Sequence, residues 1–274
     1  MINYRGLENK IENIVEESSA NISVSFYDLD QGEGFSINGD KRVPSASMIK
    51  LLIMLKALDE CDKGKINLED TIKLDDYEKV DGSGILKELS RDHKFSIREL
   101  LTLMIIVSDN TATNILIDLL GMEEINKIGH DLGLEKTTLE RKMMDSHAKE
   151  KGLDNFTSSN EILKLLKMIY EKEFVSEDYS DLALDILLRQ QERQRLQRYL
   201  PEDLKIASKS GDLDNLENDG GIFFTKNKNY ILVVLVNQAE SNVLAKEIIG
   251  EISLKIYKEI GEQDEKYFIS HRRS

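Results

Sequence analysis

The sequence predicts an α+β protein in which an antiparallel sheet is assembled from both ends of the chain. Segments rich in β-formers lie near the two ends, whereas the long middle of the chain shows only helical patterns. Strands from both ends can meet in one sheet if the helices between them form an inserted domain, and the seam would then be the natural cleft. The predicted sheet domain comprises residues 1–43 and 196–274, and the predicted helical domain comprises residues 44–195.

The first elements are a helix, a hairpin and a buried helix. Apolar residues recur at helical spacing over residues 7–15, which predicts an amphipathic helix. The segment NISVSFYD (residues 21–28) predicts a strand, and the following DQGEG and FSIN predict a turn and its partner strand. Beyond Pro44, residues 46–61 are apolar on nearly every side, so this helix should be buried almost all round.

The middle of the chain predicts helices and one long loop. Ser96 and Glu99 fit a capping box at the start of the apolar segment LLTLMIIV. Residues 140–155 show no clean period and predict a long loop. The remaining predicted elements are helices over residues 113–120, from 159 and over 179–199, a strand over 205–210, a hairpin of 221–225 with 230–237, and a last helix over 243–260.

Charge and hydropathy narrow the classes of partner. The formal net charge is −14, so the chain should repel nucleic acid and anionic membranes, and a small molecule is the expected partner. No apolar run reaches about 18 residues, which predicts that no helix crosses a membrane. The start MINYRGLENK lacks the features of a secretory signal and predicts a cytoplasmic protein, or a secreted one if a leader has been removed. The oligomeric state stays open.

Cysteine and histidine, the usual ligands of zinc, are sparse in this chain. The chain has one cysteine, Cys61, whose apolar helical setting predicts a packed thiol, and its four histidines are scattered. These are His93, His130, His147 and His271. We therefore expect chemistry that needs no metal, cofactor or redox cysteine.

Ser47 and Lys50 are the first pair of polar residues along the chain that could carry out a chemical reaction. They lie three residues apart at the start of the buried helix and can share one face. Apolar surroundings lower the pKa of a lysine, and such a lysine can accept the proton of a serine hydroxyl. The pair alone fits equally a helix-capping serine and a lysine that extends to the surface.

Two further polar clusters follow along the chain. Ser108, Asp109 and Asn110 come directly after an apolar helix, so a buried element delivers a hydroxyl, a carboxylate and an amide to one place. Lys209 and Ser210 end a predicted strand, and Gly211 follows them at a bend where a ligand could approach the backbone. Each cluster by itself is compatible with a purely structural role.

Together the clusters give the order S-x-x-K, S-D-N and K-[ST]-G over most of the chain. In this order the sequence resembles the class A β-lactamase and penicillin-binding family of serine hydrolases. The resemblance implies a β-lactamase-like fold in which Ser47 is the nucleophile that forms an acyl-enzyme, Lys50 assists proton transfer, and Ser108 relays a proton to the leaving nitrogen. The implied substrate contacts are Asn110 for a side-chain amide, Lys209 and Ser210 for a carboxylate, and the N–H groups of Ser47 and Asp212 for the oxyanion, next to Gly211.

Two departures from the family pattern matter. The acidic Asp212 is unusual beside the oxyanion position and should disfavour anionic substrates. In the long loop, the family carries a glutamate two residues after an arginine, and that glutamate activates the deacylating water. Aligning Arg141 with the arginine puts Met143 at the glutamate position. Candidates to replace the glutamate are Asp145 and Glu150, whereas Asp154 could instead pair with Arg141.

The expected function is β-lactamase-like hydrolysis of β-lactam amide bonds, with fast acylation and slow deacylation. One alternative keeps the fold and changes the substrate, giving an esterase or a D-alanyl peptidase. Another is a binding protein that captures a β-lactam or a peptide as a stable adduct and serves as a trap or sensor.

Overall fold

The computed structural model describes residues 2–261, and short strands interrupt the helices of its middle part, which the sequence predicted as all helical. In chain order the helices and strands are α1 (Tyr4–Glu17), β1 (Asn21–Asp28), β2 (Glu33–Ile37), β3 (Val43–Pro44), α2 (Lys50–Asp62), β4 (Thr71–Lys73), β5 (Lys94–Ser96), α3 (Ile97–Ile106), α4 (Asn110–Leu120), α5 (Met122–Asp131), α6 (Ser146–Glu150), β6 (Phe156–Thr157), α7 (Ser159–Glu171), α8 (Glu177–Leu188), β7 (Lys205–Leu213), β8 (Leu216–Phe224), β9 (Asn229–Asn237) and α9 (Asn242–Ile256).

The main sheet confirms the predicted fold class. It has five antiparallel strands in the order β2-β1-β9-β8-β7, so strands from both ends of the chain pair at its centre. β1 pairs with β9 from Asn21 opposite Asn237 to Asp28 opposite Tyr230. β7 is an edge strand, paired on one side with β8. This open edge faces the part of the molecule in which the polar clusters lie.

The sheet separates two hydrophobic clusters. Alternate residues of β9 point to opposite faces, so Val234 packs with α1 and α9, whereas Val233 packs with the central helices. α2 lies in the centre of the helical side, and every residue from Lys50 to Cys61 is buried. The pattern agrees with the predicted all-round apolar helix. The domain boundaries at residues 43/44 and 195/196 stay a prediction.

Two predicted elements have different bounds in the structure. The helix expected over residues 179–199 ends at Leu188, because the side chain of Gln190 accepts the N–H groups of Gln191 and Glu192 in place of helical carbonyls. The strand expected over residues 221–225 begins at Leu216 instead. Its first half contains two buried acidic residues, Glu217 in an ion pair with Arg195 and Asp219 accepting the Leu196 N–H, and a polarity pattern alone assigns such residues to a loop.

Smaller differences occur at helix ends. Residues Ala46–Ile49 form a 3₁₀ turn before α2, and the last helix ends at Ile256 in a π-helical turn. The capping box of Ser96 and Glu99 is formed as predicted. The loop of residues 140–155 contains the short helix α6.

Two further sequence predictions concern the thiol of Cys61 and the hydropathy of the helices. The thiol of Cys61 is buried, and burial raises its pKa to about 11, as expected for a packed thiol. Across residues 2–261, no helix combines the length and the apolar character needed to cross a membrane.

Candidate active site

A strained turn positions Ser47 at the seam between sheet and helices. Ala46 has a φ of 47°, a left-handed conformation that non-glycine residues seldom adopt. The side-chain amide of Asn218, on β8, donates to the carbonyl oxygens of Pro44 and Ser45 at 3.1 and 3.2 Å. The Ser45 N–H donates to the Asn155 carbonyl at 2.8 Å. These contacts from two distant segments hold the turn that presents Ser47.

The amine of Lys50 is fully buried and lies against Ser108 and Asn110. Nζ is 2.7 Å from the Ser108 carbonyl oxygen, 3.0 Å from the Ser108 hydroxyl and 2.9 Å from Asn110 Oδ1. Burial lowers the pKa of Lys50 well below its usual 10.5, and the nearby Lys209 lowers it further. Nζ donates to all three oxygens, and the Ser108 hydroxyl is the one contact that could also donate in return, to the lone pair of a neutral amine.

Lys209 brings a second amine to the same hydroxyl. Its Nζ lies 3.2 Å from Ser108 Oγ and 2.5 Å from the carbonyl oxygen of Ser210. The side chain is fully buried, and burial, aided by the positive charge of Arg195, lowers the pKa of Lys209 to about 7. The two lysines predicted from separate motifs therefore meet at Ser108. Within residues 2–261, no hydrogen bond joins the Ser47 hydroxyl to Lys50, whose amine is directed at Ser108 instead.

Asp109 and Asn110 fix the neighbouring loop. Asp109 caps α4 through the Ala112 N–H and also accepts the N–H groups of Ile85 and Leu86 at 2.6 and 2.8 Å. Asp109 therefore has a structural role in this cluster. Asn110 donates from Nδ2 to the Asp81 carbonyl at 3.1 Å, which leaves one Nδ2 hydrogen available.

Gly211 allows β7 to approach the Ser47 turn. A Cβ at this position would lie 2.6 Å from the Ser47 backbone nitrogen, closer than any side chain can come. The sequence suggested that Gly211 admits a ligand to the backbone, and in the structure it admits the Ser47 turn. Ser47 and Asp212, the residue after Gly211, line the same cleft.

A network of buried charged residues on β7 and β8, centred on Arg195, was missed by the sequence analysis. Arg195 is 2% exposed, and its guanidinium contacts Glu217 at 2.5 Å and Asp212 at 3.2 Å. Asp212, Glu217 and Asp219 share one face of the sheet because Asp212 pairs with Glu217 and Ser210 pairs with Asp219. The sequence sign of this network was the alternation of acidic residues in LENDGG. Such residues fit a buried strand only because Arg195 lies close to them.

The long loop places no glutamate at the cleft. Met143 is buried, and its backbone N–H and carbonyl both bond to the side chain of Asn114, at 2.8 and 3.0 Å. Asp145 caps α6 through the Ala148 N–H, and Glu150 is exposed. Arg141 and Asp154 form the predicted ion pair at 2.8 Å. Neither candidate replacement lines the cleft.

The cleft beside Ser47 has a volume of about 920 Å³. Its walls come from the first two sequence motifs, from the strand residue that follows the third motif, and from the long loop, and they include Ser47, Asn110, Met143, Asp154 and Asp212. Asp154 and Asp212 are engaged by Arg141 and Arg195. Within residues 2–261 no group of His, Cys, Asp and Glu is arranged to hold a metal ion, and His271 lies outside these residues.

Comparison with known proteins decides the family. The model of the "Beta-lactamase enzyme family" matches residues 6–260. This chain belongs to that family. A curated β-lactamase of Bacteroides uniformis is 26% identical over 267 residues, which cover 92% of this chain and 90% of the relative. The family assignment makes this protein a β-lactamase-like hydrolase.

Solved structures of the family share its fold. The β-lactamase of Sphaerobacter thermophilus DSM 20745 has a TM-score of 0.85 and 27% identity, covering 94% of this chain and 97% of that one. A variant of PBP-A, in an acyl-enzyme complex with penicillin-G, has a TM-score of 0.84 and 26% identity, covering 93% and 96%. Solved chains with the same architecture thus include a β-lactamase and PBP-A.

Proposed function

We propose that this β-lactamase-family hydrolase opens β-lactam amide bonds through an acyl-enzyme at Ser47. The observation that carries the proposal is the meeting of two buried lysine amines, Lys50 and Lys209, at the hydroxyl of Ser108 beside the cleft. Burying two amines in contact with one hydroxyl is costly for stability, and it tunes both amines for proton transfer.

Acylation uses groups that are all present. Ser47 Oγ attacks the lactam carbonyl carbon while its proton passes to the neutral Nζ of Lys50, and the carbonyl oxygen becomes an oxyanion held by the N–H groups of Ser47 and Asp212. Lys50 then returns a proton through Ser108 to the leaving nitrogen as the carbon–nitrogen bond breaks. The 3.0 Å contact between Lys50 and Ser108 supports this relay.

Substrate binding draws on the remaining motif residues. Lys209 and Ser210 hold the substrate carboxylate, Asn110 donates its free Nδ2 hydrogen to the side-chain amide, and Gly211 keeps the strand close to the nucleophile. Lys209 carries full charge only below about pH 7, given its lowered pKa. The carboxylate site is therefore weaker at neutral pH than one built on an ordinary lysine.

Deacylation is the slow step of the proposed cycle. Hydrolysis of the ester needs a base that activates water, and at the expected place stands the thioether of Met143, which cannot accept a proton. The similarity to PBP-A, a variant of which has been captured with penicillin-G bound covalently, favours a long-lived adduct as the second candidate function. In that case the protein is a penicillin-binding trap rather than an efficient hydrolase.

Stopped-flow kinetics with nitrocefin, followed by intact-mass spectrometry, tests the proposal. We expect a burst of ring opening, an adduct that persists, and a slow steady state, with the adduct mapped to the peptide that contains Ser47. Ser47→Ala should show neither burst nor adduct. Fast turnover without an adduct would contradict slow deacylation, and hydrolysis by Ser47→Ala would contradict the nucleophile. A panel of neutral esters and D-alanyl peptides separates a lactamase from an esterase or peptidase.

A further inference from the structure

A second cavity lies behind the strand that carries Lys209. It occupies about 430 Å³ between the loop of residues 189–204 and the start of β7, and none of its lining residues lines the catalytic cleft. The side chains of Gln190 and Gln197 hold the loop open. Gln190 donates to the Ile105 carbonyl at 3.0 Å, and Gln197 donates to the Leu204 carbonyl at 3.2 Å. We call this cavity the rear pocket.

A buried carboxylate without a full set of partners forms the floor of the rear pocket. Asp219 is 2% exposed, and its Oδ2 accepts the Leu196 N–H at 3.2 Å. Its Oδ1 is buried and has no hydrogen-bond partner. Burial raises the pKa of Asp219 to about 7, although Arg195 and Lys209 oppose the rise. Arg195 pairs with Glu217 and Asp212 through Nε and Nη2, and its buried Nη1 has no hydrogen-bond partner. Asp219 is one of the residues that line the rear pocket.

The walls and the rim of the rear pocket suit a cation with an apolar stem. Leu196 and Ile206 are buried and line the pocket, and the Leu196 N–H donates to the carboxylate. Around the opening, three acidic side chains (Glu192, Glu202 and Asp203) face two basic ones (Arg193 and Lys205). With Asp219 the lining holds four acids against two bases, and this excess of acids favours a positive ligand, although the buried Arg195 and Lys209 lower the negative potential at Asp219 itself. An anion would meet the unpartnered carboxylate at the floor.

We propose that the rear pocket binds a primary alkylamine in its ammonium form. The ammonium donates to Asp219 Oδ1, which supplies the partner that this buried oxygen lacks, and the alkyl stem packs on Leu196 and Ile206. The site is independent of the chemistry at Ser47, since it shares no lining residue with the catalytic cleft.

Methyl-resolved NMR of the full chain with n-hexylamine at pH 8 tests the site, with 1-hexanol and hexanoate as probes of the same length. We expect saturable shifts at Leu196 and Ile206 with the amine, at least tenfold weaker binding of the alcohol and none of the acid, and unchanged shifts at Leu213 in the catalytic cleft. Equal binding of the alcohol would overturn the proposal, because the carboxylate would then contribute nothing to recognition. No saturable shift with the amine would also overturn it and leave a pocket that holds water only.

Two variants assign the binding to the carboxylate. Asp219→Asn keeps an acceptor for the Leu196 N–H and removes the charge, and we expect at least a tenfold loss of hexylamine affinity by calorimetry. Glu135→Gln, at a side chain that is 83% exposed, removes one charge elsewhere and should bind as the unaltered chain does. Ser47→Ala should also bind unchanged. Unaltered affinity in Asp219→Asn would contradict the site, and if that variant does not fold, the NMR result decides.

Discussion

Ser108 Oγ lies 3.0 Å from the amine of Lys50, and the amine of Lys209 lies 3.2 Å from the same oxygen. One hydroxyl therefore connects two lysines that come from motifs far apart in the chain. Ser108 itself has a φ of 55°, a strained conformation at the junction of α3 and α4. In this backbone conformation, the carbonyl and the hydroxyl of Ser108 both contact the amine of Lys50.

Removing this hydroxyl should slow acylation. In Ser108→Ala, Lys50 loses its contact with the hydroxyl and the proton loses its path to the leaving nitrogen, so the acylation rate constant should fall by about 10²- to 10⁴-fold. Stopped-flow burst kinetics with nitrocefin measure it. Ser146→Ala, at the exposed start of α6, is the matched control and should acylate normally. An unchanged burst in Ser108→Ala would contradict the proton relay.

A carboxylate at position 143 should speed deacylation. Met143 lines the cleft with its backbone fixed by Asn114, so Met143→Glu places a base beside the acyl ester, and release of the adduct should accelerate by about 10²- to 10⁴-fold. Decay of the adduct mass over time measures this step. Met144→Glu, at the neighbouring residue that is 52% exposed, is the control and should leave the decay unchanged. Equal acceleration in both variants would mean that position 143 has no special access to the ester.

The binding of anionic β-lactams should weaken above neutral pH. The folded protein holds Lys209 with a pKa of about 7, so its ammonium is present below that pH and is lost above it. The second-order acylation rate constant for an anionic penicillin should decline about tenfold per pH unit on the alkaline side, relative to a neutral ester. Lys209→Arg keeps its charge at every accessible pH and should flatten this limb. Parallel profiles for the two substrates would contradict the assignment of Lys209.

The charge of Asp212 should select against anionic substrates. Its side chain lines the cleft and is 57% exposed, so Asp212→Asn removes an opposing charge near the carboxylate site. We expect the acylation rate constant of anionic penicillins to rise about three- to tenfold at low ionic strength and less at high salt. Neutral esters are the internal control and should react as before. A gain of equal size for both substrates would indicate a change of geometry instead of charge.

The buried guanidinium of Arg195 should matter for stability. Arg195→Met removes the 2.5 Å ion pair of the buried Glu217 and leaves only the longer contact with Lys246 at 3.6 Å, so the free energy of unfolding should fall by about 3–5 kcal/mol. Arg198→Ala removes a partly exposed arginine that lies 3.6 Å from Glu247, and it should cost only about 0–1 kcal/mol. Urea titrations compare the two variants, and similar losses would show that the network around Arg195 contributes little.

The sequence determined the class of fold and the candidate catalytic residues. Ser47, Lys50, Ser108 and Lys209 could be read from their motifs because local spacing places each pair on one turn or strand end. The buried helix α2 and the terminal strands follow from hydropathy patterns that depend only on neighbouring residues. The expectation that Met143 takes the place of the loop glutamate also came from the sequence.

Only the tertiary structure decided which groups these residues contact. The amine of Lys50 is directed at Ser108, the turn before Ser47 is held by Asn218, and Met143 is fixed by Asn114. Each partner lies far away in the chain, so no local pattern reveals it. The same holds for β8, where Glu217 and Asp219 looked like loop residues until the buried Arg195 accounted for their charge. A buried charge is stable only with its partners, and those partners are set by the fold.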